Sequence, residues 1–198
     1  MASATKTDYS LSVNKRAVQN AIFDSLTHKY KKVIGLAGPN ITDYLQMMKN
    51  RGFKSAEIYE NDISQLAIQI DHFKPIIKAQ INYGDIIQAK PNEPNTLYDL
   101  DFCCSINNAY KHIQKFSDDA SITTLSIRPV GFMRTLLKFS QLIDSESSPV
   151  IEFLGSVNNN LGKYRTYGLT TGAKKYQCYL YHNTNHTLFL FPSTLQNL

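Results

Sequence analysis

Two carboxylates stand two residues apart in the run Leu97–Cys104, LYDLDFCC. Read as a strand, the run puts Asp99, Asp101 and Cys103 on one face and Leu100, Phe102 and Cys104 on the other. A carboxylate inside a buried strand is costly unless something partners it. The pair therefore either does chemistry or sits at a strand end open to water. A second group lies upstream. KKVIGLAGPN is a short apolar run closed by a glycine turn. Gly35 and Gly38 there would let the backbone approach a ligand, because no Cβ intervenes. Glu60 closes the next apolar run, SAEIYEND, with Asp62 behind it, and Asp85 follows Gly84 after a third run, IIKAQINY.

These residues need elements to hold them, and the hydrophobic pattern supplies a regular series. Val18, Ala21, Ile22 and Leu26 share a helical face within Asn14–Tyr30. Val33, Ile34 and Leu36 read as a strand. Ile41, Tyr44, Leu45 and Met48 follow at helical spacing, with Asn40 as N-cap and Gly52 as the stop. SAEIYEND is a second strand. Ile63, Leu66, Ala67 and Ile70 predict a helix with its apolar face inward, stopped before Pro75. IIKAQINY is a third strand, IIQAKPNEPNT a loop, and LYDLDFCC a fourth strand. Ser105 caps a helix carrying Ile106, Ala109, Tyr110, Ile113 and Phe116. SITTLSIRP is a fifth strand, and Phe132, Leu136, Leu137 and Ile143 mark one more helix. After SESSP the alternation ends. VIEFLG is a short strand or helix turn, SVNNNLGKYRTYGLTTG reads as loop-rich, and YQCYLYH and TLFLFP form an antiparallel hairpin.

Strands alternating with helices imply an α/β domain: a doubly wound, mostly parallel sheet with a C-terminal antiparallel β-hairpin. Ligands of such sheets sit at the carboxyl ends of the strands. Gly35–Asn40, Tyr59–Asp62, Gly84–Asp85 and Asp99–Ser105 would then share one crevice. The domain is expected to span 13–198, with 1–12 a frayed, flexible N-terminus.

Composition bounds the function. At 198 residues the chain can bury roughly 70% of its unfolded surface without disulfides. No apolar run reaches the ~18 residues of a membrane span, so no membrane role is expected, and the start lacks the apolar core of a secretion signal. Three cysteines, two of them adjacent, make no disulfide framework and favour a reducing, cytoplasmic setting (the host cytoplasm if the chain is virus-encoded). No Cys/His group has zinc spacing, and the five histidines are scattered, so no metal is expected. Twenty-one Lys and Arg against sixteen Asp and Glu give +5, which leans towards an anionic partner.

Over residues 31 to 192 the order of elements resembles the class I S-adenosylmethionine-dependent methyltransferases, a Rossmann-like family. VIGLAG is similar to the family's first strand and glycine loop. Glu60 closes the second strand, Asp85 follows the third, and YDLDFCCS stands at the fourth-strand motif. The missing helix between strands three and four and the terminal hairpin are also common there. The resemblance implies S-adenosyl-L-methionine as cofactor. Gly35 and Gly38 would lie at its amino-acid end, Glu60 on the ribose with Asp62 a second choice, Asp85 on the adenine amino group, and Asp99 and Asp101 near the methyl. It implies a methyltransferase, with RNA or DNA as the expected substrate given the basic charge.

The chain also departs from the family. It lacks the repeated glycines of the first loop and the D/N-P-P-Y/F motif that clamps a flipped base amine. Asp101-Phe102-Cys103-Cys104 is similar to the Asp-x-Pro-Cys motif of RNA cytosine methylases, which would make Cys104 a nucleophile. The proline is absent, however, and buried strand cysteines are usually inert. Arg128 and Arg134 flank the fifth strand's carboxyl end and could meet phosphates. Tyr164, Tyr167, Tyr176, Tyr179 and Tyr181 could stack on bases or simply fill a sheet. Two other functions fit the same elements: a methyltransferase-like module without catalysis that binds or assembles, and a nicotinamide-dependent oxidoreductase. The absent G-x-G-x-x-G counts against the last.

Overall fold

The computed structural model describes residues 13–26, 30–38, 40–116, 124–160, 162–182 and 186–193. The N-terminal stretch 1–12 lies outside the described residues, as do Pro39 and the side chain of Cys103.

Helix α1 (Val13–Leu26) precedes strand β1 (Lys32–Gly35), helix α2 (Ile41–Asn50) and strand β2 (Ser55–Glu60). Helix α3 (Ile63–Asp71) and strand β3 (Lys78–Tyr83) follow. A short 3₁₀ turn (Ile86–Gln88) then leads to strand β4 (Thr96–Ser105), helix α4 (Ile106–Phe116), strand β5 (Thr124–Arg128) and helix α5 (Phe132–Ile143). Four further strands complete the described chain: β6 (Val150–Asn159), β7 (Gly162–Thr171), β8 (Lys174–Tyr181) and β9 (Thr187–Pro192).

All nine strands join one sheet in the order β3-β2-β1-β4-β5-β9-β8-β7-β6. The β3-to-β5 half is parallel, and the remaining strands are antiparallel. Val18, Ile22 and Phe23 of α1 and Ile41, Tyr44, Leu45 and Met48 of α2 pack with Val33, Ile58 and Leu97 on one face. Ile106, Ala109, Ile113 and Phe116 of α4 and Leu136 and Phe139 of α5 pack with Ile34, Tyr98 and Leu100 on the other. The sheet is thus doubly wound, with the expected β8–β9 hairpin at its C-terminal side.

Local signals act as physics requires, with three differences. Gly52 stops α2 at φ +83°, donating its N–H to the Lys49 carbonyl. Asn40 precedes α2, but its side chain makes no capping bond. Helix α3 is rotated from its expected setting. It buries Leu66 and Gln69 and turns Ile63 (64% exposed), Ala67 and Ile70 (57% exposed) outward. The stretch read as loop-rich is instead the long β6–β7 hairpin, in register from Val150↔Thr170 to Asn159↔Gly162. Its Tyr and Thr residues favour a pleated surface despite their polarity.

Candidate active site at the carboxyl rim

Register places the candidate residues relative to one another. Gly35, the last residue of β1, pairs with Ile58 on β2 and with Asp99 on β4. Glu60 and Asp101 each lie two residues further on. They share the height and the α1/α2 face of the sheet, on opposite sides of the end of β1. Two strand spacings put them about 10 Å apart. Tyr83 pairs with Glu60, so Gly84 and Asp85 leave β3 at the same rim.

Glu60 is the hub. Its Oε1 accepts from the Asp62 N–H at 2.9 Å and its Oε2 from the Gln69 amide at 3.2 Å, while its carbonyl accepts from the Gly84 N–H at 2.9 Å. The Gln69 amide also donates to the Gly38 carbonyl at 2.7 Å. Gln69 is fully buried, and its Oε1 has no partner among the described residues. This glutamine ties the glycine turn to the second strand's acid, and the sequence reading missed it. The only available clue was a polar residue amid the apolar positions of α3. Asp62 accepts from the N–H groups of Ser64 and Gln65 and so caps α3.

The two glycines differ. Gly38 has φ +63°, and a Cβ there would meet nothing within 4 Å. Gly35 is crowded. A Cβ there would lie 2.8 Å from the Tyr44 hydroxyl and 3.0 Å from the Asp99 carbonyl oxygen. The room beside Gly35 is taken by the protein's own Tyr44 and Asp99.

The two aspartates differ as well. Asp99 is 2% exposed. Its carboxylate accepts from the Tyr44 hydroxyl at 3.1 Å and from the Thr124 hydroxyl at 2.8 Å. It therefore joins α2 to β5 beneath the rim. Burial raises the Tyr44 phenol well above its ordinary value, and the charges of Asp99 and Asp101 add to the effect. The phenol stays protonated and keeps donating. Asp101 is half-buried at the rim, at the start of an irregularity where β4 shifts register against β5 between Asp101 and Ser105.

Asp85 sits on the opposite side of the sheet edge from Gln69. Its Oδ1 accepts from the Ile87 N–H at 3.0 Å and lies 2.5 Å from His112 Nε2 of α4. The His112 ring packs on Phe102 at 5.0 Å. The Asp85 side chain remains 40% exposed. Burial pushes the Cys104 thiol up, with Arg128 pulling weakly the other way. That is the reverse of what a nucleophile needs. Among the described residues no group of three or more His, Cys, Asp or Glu could hold a metal. No helix among them is long and apolar enough to cross a membrane.

No protein-family model and no curated protein sequence matches the chain. Solved structures do resemble it. A proposed RNA methyltransferase from Pyrococcus horikoshii aligns with a TM-score of 0.51 at 13% identity, covering 90% of this chain and 84% of that one. A precorrin-6y C5,15-methyltransferase from Geobacter metallireducens aligns at 0.48 and 9% identity over 98% and 94% of the two chains. An S-adenosylmethionine-dependent methyltransferase from Clostridium acetobutylicum aligns at 0.39 and 11% identity over 94% and 74%. The first likeness, together with the strand order, gives the chain the class I methyltransferase fold.

Proposed function

We propose that the chain is an S-adenosylmethionine-dependent methyltransferase acting on nucleic acid. The observation that carries the proposal is the Glu60–Gln69–Gly38 cluster at the carboxyl rim. Glu60 keeps unused lone pairs on both oxygens. Gln69 Oε1 is a buried acceptor for which the described fold supplies no donor, and such an atom is costly left alone. Ribose hydroxyls would satisfy the lone pairs of Glu60, which Gln69 holds from within the fold. Gly38 leaves open space over the turn, and Asp85 keeps one carboxylate oxygen for an adenine amino group. On this reading Glu60 binds, Gln69 positions Glu60 and the glycine turn, Gly38 admits the cofactor's amino-acid end, and Asp85 orients the base.

When bound, the cofactor supplies an electrophilic methyl on a sulfonium, open to in-line displacement. The chain's own part is to position the acceptor and exclude water. Asp101, half-buried at the rim, would orient an acceptor amine or hydroxyl. Asp99 acts through Tyr44 and Thr124 to hold the strand ends and is a positioning residue. Gly35 serves the same packing. Arg128, the last residue of β5, stands beside Cys104, where the backbone of an acceptor strand would pass. The net charge of +5 suits that substrate.

A second reading has its own observation. The hydroxyl of Tyr44 fills the space beside Gly35, so a fold without catalysis would also retain this packing. Calorimetry with S-adenosylmethionine separates the two. Wild type is expected to bind, and Glu60→Ala to bind at least tenfold more weakly. No heat with wild type would favour the non-catalytic module, and unchanged affinity in Glu60→Ala would remove the ribose assignment.

A further inference from the structure

The β6–β7 ribbon extends the sheet beyond the β8–β9 hairpin, and its two faces differ in chemistry. Register and alternation put Phe153, Ser156 and Asn158 of β6 and Lys163, Arg165 and Tyr167 of β7 on the α4/α5 face. Lys163 and Arg165 are exposed. Glu152, the one carboxylate in 150–181, pairs with Gly168 and lies on the reverse face. His182 follows β8 on the cationic side and donates its N–H to the Lys163 carbonyl at 2.8 Å. Its ring packs on His186 at 5.5 Å. Burial lowers the His182 imidazole, and Arg165, His186 and Lys163 add to this, so cations crowd here. Among the described residues Lys163, Arg165 and Arg134 form no ion pair.

Aromatic rings adjoin these charges. Tyr167 packs on Phe132 at 4.4 Å and on Phe153 at 5.3 Å. Phe132 opens α5, so Arg134 stands in that helix's first turn. Phe153 is 58% exposed. A row of three rings ends in an open face, with Arg165 and Lys163 on the same face of β7. Rings beside cations suit unstacked bases and their phosphates, whereas a duplex keeps its base faces covered.

The row also leads to the rim. Arg165 pairs with Leu180, Leu180 with Leu188 and Leu188 with Ile127, so Arg165 is level with the end of β5. Asp101 pairs with Ser126, one residue below that level. Four strand spacings separate β4 from β7, about 19 Å, and Asp101 lies on the α1/α2 face while the ribbon's cations lie on the α4/α5 face, so a strand held at both would cross the carboxyl rim.

We propose that the α4/α5 face of the outer β6–β7 ribbon is a docking surface for single-stranded nucleic acid, whose strand reaches Asp101 by crossing the carboxyl rim. The proposal rests on the methyltransferase reading only for that second clause.

The test is fluorescence anisotropy with labelled single-stranded RNA and DNA of 4 to 12 nucleotides and with a duplex of the same sequence. Wild type is expected to prefer single strands and to weaken as the oligonucleotide shortens. Lys163→Glu/Arg165→Glu should bind at least tenfold more weakly. Its log–log salt slope should be shallower by about 1.4, two contacts at 0.7 each. Phe153→Ala should lose about fivefold or more. Thermal melting with and without S-adenosylmethionine checks that each variant is folded. Wild-type affinity in the charge-reversed variant would overturn the proposal, as would equal binding of duplex and single strand with no effect of Phe153→Ala. Binding of anionic vesicles but not oligonucleotides, lost in the same variants, would also overturn it. Strand binding that depends on the ribbon, without any response to S-adenosylmethionine, would sink the methyltransferase reading and leave the docking surface standing.

Discussion

Gln69, buried on α3, donates its amide to the carbonyl of Gly38, 31 residues away, at 2.7 Å. The same nitrogen reaches Glu60 Oε2. One side chain therefore sets both the turn after β1 and the acid at the end of β2. Gln69→Leu keeps the volume and removes both bonds. Loss of buried hydrogen bonds of this kind costs about 1–3 kcal/mol. A lower melting temperature is expected, together with weaker S-adenosylmethionine binding by calorimetry. A variant that melts early yet binds the cofactor as wild type would make Gln69 purely structural.

Gly35 and Tyr44 share one space, and a double-mutant cycle should detect it. Gly35→Ala pushes a methyl to within 2.8 Å of the Tyr44 hydroxyl and 3.0 Å of the Asp99 carbonyl. Overpacking of this kind costs about 1–3 kcal/mol. Tyr44→Phe removes the hydroxyl and should recover part of that loss in the double variant. Additive effects in urea unfolding would show that the two residues do not meet.

The strand-four aspartates should separate by readout. Asp99→Asn is expected to destabilise the fold, because both of its hydroxyl donors then face a weaker acceptor. Asp101→Asn should melt close to wild type yet lose methyl transfer to oligonucleotides. Transfer by Asp101→Asn at the wild-type rate would exclude that carboxylate from the reaction. Cys104→Ser should transfer normally, since its thiol is raised by burial rather than activated.

At the opposite end of β1, Lys32 bridges Glu57 and Glu93 at 2.7 Å each. Burial pulls the Lys32 ammonium down, but its bonds to the two carboxylates outweigh this and leave it above its ordinary 10.5. Burial pushes the Glu57 carboxyl up, but Lys32 and Tyr59 outweigh this and hold it below 4.5. The Glu57 contribution is present above 4.5 and is lost as pH falls through the depressed folded value. The Lys32 contribution is present below 10.5 and is lost as pH rises through the raised one. Lys32→Met should cost about 1–3 kcal/mol at neutral pH. Its deficit in chemical unfolding should be flat across mid-range pH and shrink at both extremes. A deficit that is the same at pH 3 and pH 7 would remove the pairing.

The positions of the candidate residues were legible because they follow from strand order. Glu60 at the end of β2, Asp85 after β3 and Asp99 and Asp101 on one face of β4 are consequences of alternation and topology. What alternation could not show is which carboxylate faces inward. Asp99 and Asp101 look alike in sequence, and only the tertiary donors Tyr44 and Thr124 separate them. Periodicity likewise named the apolar set of α3 but not its rotation. That rotation follows from the place Gln69 takes between Gly38 and Glu60. The β6–β7 ribbon was hidden for another reason. Its glycines and asparagines look like turn chemistry, while its strand character comes from Tyr and Thr paired against β8.

The outer ribbon ends in a ten-residue strand with no neighbour on its far side among the described residues. A flat border of that length invites further chains to add on, the first step towards fibrils. Here the pairing slips between Phe153 and Gly155, where Gly155 adopts φ +146° and Leu154 becomes the extra residue. Such a bulge bends and overtwists the border, so a second molecule could match only a few residues before the two backbones diverge. The kink that spoils the ladder is thus also a safeguard of solubility.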